Sequence, residues 1–321
     1  MAVVVSALRQ LTPRVREYEL ADVGGRSLPQ FEAGSHIALY LPTPEGPLLS
    51  HYSLVSQPDG HGADARKYTI AVQRDNGARG SAYIHDHLKL GTQLRISHPK
   101  SQFALDRRDT QSLLIAGGIG ITPILSMAHS LAKRGKNFQL LYIGKRADDM
   151  AYLPEVAKLG AERASICTTR QGHGLRPDVA ALLASQASGT SVYVCGPPSL
   201  IDSLKVAAAT LGWAPQRVHH EWFNTAVTGL EVAFSLELRH SGRTLQVGSR
   251  TSILEAMSAA GMHPLFDCRR GECGLCPLTV LESDGPLVHH DRFLSDDEKA
   301  MGRTLCICVS RTQGSRLVLA A

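Results

Sequence analysis

The first third of the chain alternates short hydrophobic and polar stretches with turn residues. Residues 67–74, KYTIAVQR, show the alternation that is typical of a strand with one buried face. The stretch 42–46, PTPEG, is typical of a turn, and residues 58–65 are typical of a loose loop. Many short strands separated by turns predict a small antiparallel β-barrel over residues 1–106.

From about residue 111 the period of the pattern changes. Short apolar runs alternate with longer segments of helical periodicity, and this order predicts a parallel sheet with helices on its faces. We expect an α/β domain over residues 107–225, in which Pro177 and Pro198 lie in first turns of helices, where a missing N–H costs nothing. The predicted strands are 112–116, 139–143, 164–168 and 191–195, and the predicted helices are 122–134, 150–159, 177–185 and 198–211.

The last part of the chain predicts a third domain, over residues 230–321. Residues 224–230, NTAVTGL, are typical of a linker, and strand-like segments follow at 231–239 and 243–247. Ser252 and Glu255 form a capping box, which predicts a short helix that ends near residue 260.

Composition and charge exclude several classes of function. The net charge is +5, and the basic residues are scattered, which favours a mixed solvated surface over nucleic-acid binding. No apolar run approaches the roughly 18 residues of a membrane span. The N-terminal segment lacks a basic lead and a cleavage site, so we expect a cytoplasmic protein whose thiols stay reduced.

Three of the seven cysteines fall within residues 268–276, CRRGECGLC. Together with Cys306 they give the spacing C-x4-C-x2-C…C, which is the plant-type [2Fe–2S] arrangement. Zinc prefers paired C-x2-C knuckles, and this segment has one such pair. We therefore predict that Cys268, Cys273, Cys276 and Cys306 ligate a [2Fe–2S] cluster.

Other residues near these cysteines have simpler interpretations. Gly271 and Gly274 permit the close approach of backbone N–H groups to sulfur. Arg269 and Arg270 offset part of the negative charge of a cluster. Cys308 lies two residues beyond the predicted fourth ligand, and we interpret it as a packing residue.

Two glycine-containing turns follow predicted strands of the α/β domain. Residues 113–123, LLIAGGIGITP, form a strand, a turn and a helix start, which can aim N–H groups at a phosphate. Because Pro123 replaces the third glycine of G-x-G-x-x-G, a tight structural turn is an equal alternative. Residues 192–197, VYVCGP, end a second strand, and the two turns could face one crevice or be plain strand-to-helix turns.

The barrel contains a weaker pair of signals. Residues 50–54, SHYSL, lie between turns, and Arg79, Gly80 and Ser81 precede a predicted helix at 83–88. Together these residues offer a cation, hydroxyl groups and helix-start N–H groups to a phosphate. Each piece is also typical of a strand edge or a capped loop. The nearby histidines are interpreted as surface or structural residues rather than catalysts.

Taken together, the three regions resemble the phthalate dioxygenase reductase family, the reductase components of Rieske non-haem iron oxygenases. The resemblance covers nearly the whole chain and implies a multidomain fold, with a flavin β-barrel, a nicotinamide α/β domain and an α+β ferredoxin of the β-grasp type. It implies FMN, a [2Fe–2S] cluster and NADH, with NADPH possible, in a monomer that reduces a terminal oxygenase. A reductase that feeds a cytochrome P450, and a redox-sensing iron–sulfur regulatory protein, are the alternatives.

The resemblance also implies roles for individual residues. Tyr52 and Ser53 flank the flavin ring, with Ser53 near its reactive N5, Phe223 covers the flavin face, and Cys195 lies by the nicotinamide. The other implied contacts with the flavin are His51, Leu54, Val72, Arg79, Gly80 and Ser81. The other implied contacts with the nucleotide are Gly118, Gly120, Thr122, Pro123, Gly196 and Pro197, and Arg146 and Arg170 are candidates for a 2′-phosphate of NADPH.

One departure from the family pattern concerns the flavin phosphate. Ser50 occupies the position where the family's flavin motif has arginine, and the arginine of the phosphate loop, Arg79, comes one place later than usual. A serine gives one neutral hydrogen bond where an arginine gives a bidentate charged contact. We therefore expect Arg79 to supply the missing cation.

Overall fold

The structure is a computed structural model of the 321-residue chain. It describes residues 1–44, 46–55, 66–75, 79–170, 176–223 and 232–321, and the side chain of Arg79 is outside this description. The chain divides into two compact units, Met1–Glu221 and Trp222–Ala321. The predicted loop at 58–65 and the predicted linker at 224–230 lie outside the described residues.

Six antiparallel strands form the first sheet. They are β1 (Ala2–Thr12), β2 (Val15–Asp22), β3 (His36–Thr43), β4 (Gly46–Ser53), β5 (Lys67–Gln73) and β6 (Gln93–Ile96). They pair in the order β4-β3-β6-β1-β2-β5. A bridge between Leu54 and Ile70, and a 2.9 Å hydrogen bond from the N–H of Val55 to the carbonyl of Thr69, join the two edges. The predicted antiparallel barrel is confirmed, and its boundary at residue 106 stays a prediction.

The barrel core follows from the alternation of apolar residues along its strands. Val3 and Val5 of β1, and Leu39 and Leu41 of β3, point to the same interior and are at most 1% exposed. Burial of each such side chain contributes roughly 1.5–3 kcal/mol. Helix α1 (Arg79–His87) packs against β3 and β5 and adds Ile84 to this core.

The second sheet is parallel, as the alternation of strands and helices predicted. Its strands are β7 (Gln111–Gly117), β8 (Asn137–Gly144), β9 (Ala164–Thr168), β10 (Ser191–Cys195) and β11 (Val218–Glu221), and its helices are α2 (Ile121–Lys133), α3 (Leu153–Ala157), α4 (Val179–Ala184) and α5 (Pro198–Thr210). The strand order is β11-β10-β7-β8-β9. Residues 112–116 of the central strand β7 are all buried, as expected for a strand that is covered on both faces.

The order of these strands creates a topological switch point. From β7 the chain continues to β8 and β9 on one side, and it returns to β10 and β11 on the other side. In open parallel sheets, ligands bind outside the carboxyl ends of the strands at such a point. The turns after β7 and β10 therefore face one crevice.

Two helix starts differ from the prediction. Pro177 precedes α4 instead of lying in its first turn, because the side chain of Asp178 accepts a 3.0 Å hydrogen bond from the N–H of Ala181 and caps the helix. Pro198 is the first residue of α5, as predicted. Helix α1 begins at Arg79 rather than near residue 83, so Arg79, Gly80 and Ser81 form its first turn.

The second unit is an α+β domain, as predicted. Its strands are β12 (Phe234–Leu238), β13 (Arg243–Val247), β14 (Pro277–Ser283), β15 (Leu287–Val288), β16 (Thr304–Cys306), β17 (Arg311–Thr312) and β18 (Arg316–Leu319), and its helices are α6 (Ile253–Ala259) and α7 (Asp296–Met301). Five strands form a mixed sheet in the order β13-β12-β18-β14-β16. The capping box of Ser252 and Glu255 begins α6, which confirms that prediction. No helix in the described ranges is long and apolar enough to cross a membrane.

Candidate functional sites

The turns after β7 and β10 touch each other through their backbones. A Cβ atom on Gly120 would collide with the carbonyl of Cys195, and one on Gly196 would lie 2.9 Å from the Cα of Gly117. Both positions therefore require glycine. The structure thus brings together, at the switch point, the two turns that the sequence predicted to lie close to each other.

Helix α2 starts at this crevice and fixes the residues around it. The hydroxyl of Thr122 donates a 3.1 Å hydrogen bond to the carbonyl of Ile119, and Pro123 lies in the first turn, where its missing N–H costs nothing. The N–H groups of a helix start, together with the positive end of the helix dipole, favour a phosphate. The side chain of Cys195 is fully buried at the end of β10.

Arg146 and Arg170 lie at the carboxyl ends of β8 and β9. The N–H of Arg170 donates a 2.9 Å hydrogen bond to the carbonyl of Lys145, which holds the two chain segments together. The guanidinium of Arg146 makes two short contacts with Asp148, at 2.9 and 2.8 Å, and this arginine lowers the pKa of Asp148. Both side chains of this pair are about half exposed, at 51% and 56%.

The predicted flavin residues of β4 and α1 are also in contact. A Cβ atom on Gly80 would collide with the hydroxyl of Ser50, so β4 lies directly against the first turn of α1. Burial raises the pKa of Tyr52, and a hydrogen bond with Ser50 partly offsets this effect. The Ser81 hydroxyl accepts a 3.0 Å hydrogen bond from the N–H of Asp75. Hydroxyl groups and a helix start therefore converge, as a flavin phosphate requires.

The other predicted flavin residues show less direct evidence of a flavin site. The side chains of Leu54 and Val72 are fully buried in the barrel core, so only their backbone groups are left to meet a flavin. Ser53 is 5% exposed, and the ring of His51 packs edge-on against His36. Phe223 belongs to the second compact unit, and its contact with the flavin stays a prediction.

The histidine of α1 that faces β5 has a structural role, as predicted for the histidines of this region. The Nε2 of His85 lies 2.9 Å from the carbonyl oxygen of Val72, and burial lowers the pKa of this histidine. His85 therefore joins α1 to β5.

The loop of residues 268–276 wraps its backbone around sulfur. The Sγ of Cys268 accepts hydrogen bonds from the N–H groups of Arg270, Glu272 and Cys273, at 3.3, 3.4 and 3.4 Å. Arg269, Gly271 and Gly274 all have positive φ. Such a conformation directs successive N–H groups to one side, where they stabilise an anion. Thiolates in this loop fit an iron–sulfur cluster.

Two glycines of this loop are also required by space. A Cβ atom on Gly271 would lie 2.6 Å from the Val309 side chain and 2.7 Å from the Cα of Asp291. A Cβ atom on Gly274 would collide with the ring of Phe293. The loop therefore packs tightly against the segments that surround it.

The thiols of Cys276, Cys306 and Cys308 lie close together. The Sγ atoms of Cys276 and Cys308 are 3.2 Å apart, and hydrogen bonds from the Cys306 and Cys308 thiols lower the pKa of Cys276. The contact with the Cys276 thiol, together with burial, raises the pKa of Cys308. The chain turns after β16, because the N–H of Ser310 donates to the carbonyl of Cys306. Cys308 was interpreted as a packing residue because Cys306 already supplied the fourth ligand, and the contact of its thiol with Cys276 reopens that choice.

A set of hydrogen bonds that supports the cysteine loop was not predicted from the sequence. The buried carboxylate of Asp291 accepts hydrogen bonds from the Ser310 hydroxyl at 2.9 Å and from the N–H of Leu294 at 3.0 Å. The N–H of Arg292 donates to the carbonyl of Gly271 at 2.9 Å. These bonds connect the cysteine loop to the turn that carries Cys308, and the stretch around Asp291 carries no spacing motif that could have revealed them.

The distribution of thiols suits a two-iron cluster. A structural zinc site needs four ligands around one ion. A [2Fe–2S] cluster instead divides four thiolates between two irons. Cys268 is in contact with Cys273, and Cys276 is in contact with both Cys306 and Cys308.

Comparisons with known proteins identify the family. Residues 94–218 match the model described as dimethylamine monooxygenase subunit DmmA-like, N-terminal domain, and residues 236–313 match the 2Fe-2S iron-sulfur cluster binding domain. The chain is 41% identical over 316 residues to the heme-dependent oxidative N-demethylase beta subunit of Ectopseudomonas mendocina, covering 98% of this chain and 97% of that one. It is 36% identical over 321 residues to the vanillate O-demethylase oxidoreductase of a Pseudomonas species, covering 99% and 98%.

Solved structures agree with these relatives. Phthalate dioxygenase reductase matches with a TM-score of 0.87 and 30% identity, over 100% of this chain and 98% of that one. The chain belongs to the phthalate dioxygenase reductase family. The expected fold and cofactors are confirmed, and the protein is an NAD(P)H-dependent oxidoreductase with FMN and a [2Fe–2S] cluster. The same fold also forms part of an intact type IV self-sufficient cytochrome P450 monooxygenase, with a TM-score of 0.70 and 33% identity, over 100% of this chain and 41% of that one.

We expect Gly271→Ala to destabilise the cluster loop. The added methyl group meets Val309 and Asp291, and overpacking of this kind costs roughly 1–3 kcal/mol. Iron content and the rate of cluster bleaching in the presence of a chelator measure the effect. Gly261→Ala is the matched control, because its φ of +75 is close to the +73 of Gly271 but nothing lies within 4 Å of its Cβ position. Equal behaviour of the two variants would contradict this description of the loop.

Proposed function

We propose that the protein takes electrons from NADH and delivers them to a separate terminal oxygenase or demethylase. The observation that carries this proposal is the presence of a flavin barrel, a nucleotide crevice and a cysteine loop in one chain. The vanillate O-demethylase oxidoreductase and the carnitine monooxygenase reductase subunit of Acinetobacter baumannii are, by name, reductase components of oxygenase systems. We favour a Rieske non-haem iron oxygenase as the partner.

The protein's own residues supply binding and orientation. Bound flavin can accept two electrons together as hydride and release them singly to an iron–sulfur cluster. The glycine turns at Gly120 and Gly196 would offer N–H groups to the pyrophosphate of the nucleotide, and the first turn of α1 would hold the phosphate of the flavin. Tyr52 and Ser53 would support the flavin ring, and the loop around Cys268 directs N–H groups at sulfur.

The fourth thiolate ligand is open to a choice between two residues. The spacing predicts Cys306, which lies on β16 opposite Pro277 within the core of the second unit. The contacts favour Cys308, because its sulfur is 3.2 Å from Cys276 and the neighbouring Val309 packs against Gly271 of the cluster loop.

A haem protein is the second candidate for the electron acceptor. The relative with 41% identity is named as a subunit of a heme-dependent N-demethylase, and the P450 monooxygenase structure contains the same fold. The features of this chain that support electron delivery are the same for either acceptor. The expected cytoplasmic location and monomeric state stay predictions.

Anaerobic titration tests the electron path. NADH should bleach the flavin absorbance and then produce a rhombic electron paramagnetic resonance signal from the reduced cluster. NADH should give a higher kcat/KM than NADPH, because Asp148 occupies the guanidinium of Arg146. Mixing with purified Rieske and haem oxygenases, and following NADH-dependent product formation, identifies the acceptor. Flavin bleaching without a cluster signal would contradict the proposal.

Arg79 is expected to hold the flavin phosphate. Loss of a charged hydrogen bond costs about 1.5–3 kcal/mol, so Arg79→Ala should weaken FMN binding by roughly 10- to 100-fold. Ser50→Arg should improve retention of the flavin. Arg74→Ala is the control, since Arg74 is paired with Asp86 at 2.6 Å. An unchanged FMN dissociation constant in Arg79→Ala would place the phosphate elsewhere.

Separate alanine variants distinguish the two candidates for the fourth ligand. Cys308→Ala should abolish the rhombic signal and lower iron content while flavin reduction by NADH persists, and Cys306→Ala should retain both cluster readouts. Cys167→Ala, in β9 of the first unit, is the control for loss of a thiol. The reverse result, with the signal lost only in Cys306→Ala, would confirm the spacing and refute the choice of Cys308.

A further inference from the structure

A network of polar side chains, in which Glu17 and Tyr152 are buried and Arg9 is 52% exposed, joins the barrel to the α/β domain within the first unit. Arg9 of β1 and Glu17 of β2 form a bidentate pair, with contacts of 2.9 and 3.1 Å. The hydroxyl of Tyr152 donates a 2.7 Å hydrogen bond to Glu17, and Arg9 also donates a 3.0 Å hydrogen bond to Glu155 of α3. At this place the two halves of the first unit are connected through one carboxylate and one guanidinium, in addition to the contact of Gly34 with Met127 of α2 elsewhere.

The burial of Glu17 and Tyr152 distinguishes this network from the exposed ion pairs of the surface. Glu17 is 9% exposed and Tyr152 is 4% exposed, whereas the paired side chains of Arg107 and Glu32 are 81% and 56% exposed. Exposed ion pairs contribute little to stability. A buried carboxylate needs its hydrogen-bond donors, and these donors hold it in position. Burial raises the pKa of Tyr152, so the hydroxyl keeps the proton that it donates.

The backbone of Tyr152 also depends on these contacts. Its φ of 62° and ψ of 23° are left-handed, a conformation that a residue with a side chain adopts only when its surroundings hold it there. Tyr152 precedes the five-residue helix α3, whose start has no side-chain capping hydrogen bond. The contact with the barrel therefore sets where this residue lies.

Next to the network, apolar packing does not connect the barrel to the α/β domain. A cavity of about 420 Å³ lies beside it, between Leu8 and Val55 of the barrel and Leu125 and His129 of α2. Close-packed interiors transmit position through contact, and open space does not. In this region the polar network is what connects the two halves.

The segment that ends at Tyr152 begins at the nucleotide edge. β8 ends at Gly144, and the pair of Arg146 and Asp148 follows at the carboxyl edge of the sheet. The Tyr142 hydroxyl donates a 3.0 Å hydrogen bond to the carbonyl of Ala151, so the segment is anchored at its far end on both β8 and the barrel. A shift at Tyr152 is therefore transmitted to the nucleotide edge.

We propose that Tyr152 is a positioning residue, whose hydrogen bond to Glu17 sets the position of the nucleotide edge relative to the flavin barrel. The proposal rests on the proposed function, because hydride transfer requires the reacting atoms to lie about 3–3.5 Å apart. A misplacement of about 1 Å can lower such a rate by roughly 100-fold. A smaller shift, from the loss of one hydroxyl, should lower it by about tenfold.

Tyr152→Phe tests this role in the full-length holoprotein. The limiting rate of flavin reduction at saturating NADH should fall about tenfold, while the dissociation constant for NADH changes by less than about twofold. Two readouts are independent of turnover. Amide hydrogen exchange in residues 145–152 should become faster, and the change in flavin absorbance on binding the non-reducible analogue tetrahydro-NADH should become weaker.

Tyr68→Phe is the matched control. Tyr68 is a fully buried tyrosine whose hydroxyl bonds to the carbonyl of Pro29 inside the barrel, so its loss removes a similar hydrogen bond without touching the network. This variant should keep the wild-type limiting rate and the wild-type exchange in residues 145–152. Equal limiting rates and equal exchange in the two variants would overturn the proposal.

Two further variants keep the test decisive. Glu155→Ala cuts the half-exposed end of the network without entering the core, and it should lower the limiting rate by about threefold in the same direction. In the double variant Glu17→Leu/Tyr152→Phe, the decrease in the limiting rate should not exceed the decrease in the slower of the two single variants. Both substitutions remove the same hydrogen bond, so their effects should not add. Additive losses would overturn the proposal. Failure of NADH to reduce the flavin of the wild-type protein would instead refute the proposed function.

Discussion

The contact between two backbone turns at the centre of the parallel sheet is the constraint on which the nucleotide edge depends. Gly120 lies against the carbonyl of Cys195, and Gly196 lies against Gly117, so neither turn has room for a side chain. Because β7 and β10 are adjacent and parallel, this contact also fixes the start of α2 at the crevice. Phosphate recognition proposed there would rely on N–H groups, whose positions follow from the fold and whose charge does not vary with pH.

The cysteine loop of the second unit also directs backbone N–H groups at an anion, which here is sulfur instead of phosphate. Its positive φ angles direct N–H groups at Cys268, and the glycines allow neighbouring segments to pack against it. The buried carboxylate of Asp291 then ties the loop to the turn after β16 through Ser310. The geometry of the loop therefore depends on packing from outside the motif as much as on the spacing of its cysteines.

The fold and the location of the sites could be predicted because they depend on local patterns. Alternation along β1 and β3, and the change to strand-helix order after residue 111, are properties of short windows of sequence. Strand β11 and helix α7 were missed because four and six residues carry too little periodicity, although Ser295 and Glu298 form a capping box before α7. The start of α4 was misplaced because Asp178, and not Pro177, supplies the cap.

Contacts between distant segments could not be predicted in this way. Tyr152 and Glu17 are separated by 135 residues, and neither belongs to a motif. The choice between Cys306 and Cys308 shows the same limit within a motif. Two residues along an extended strand are about 7 Å apart, so a spacing rule distinguishes them only if the strand continues. The turn after β16 brings both thiols to Cys276. The spacing therefore identifies the loop that binds the cluster, and the 3.2 Å contact with Cys276 is what favours Cys308 over Cys306.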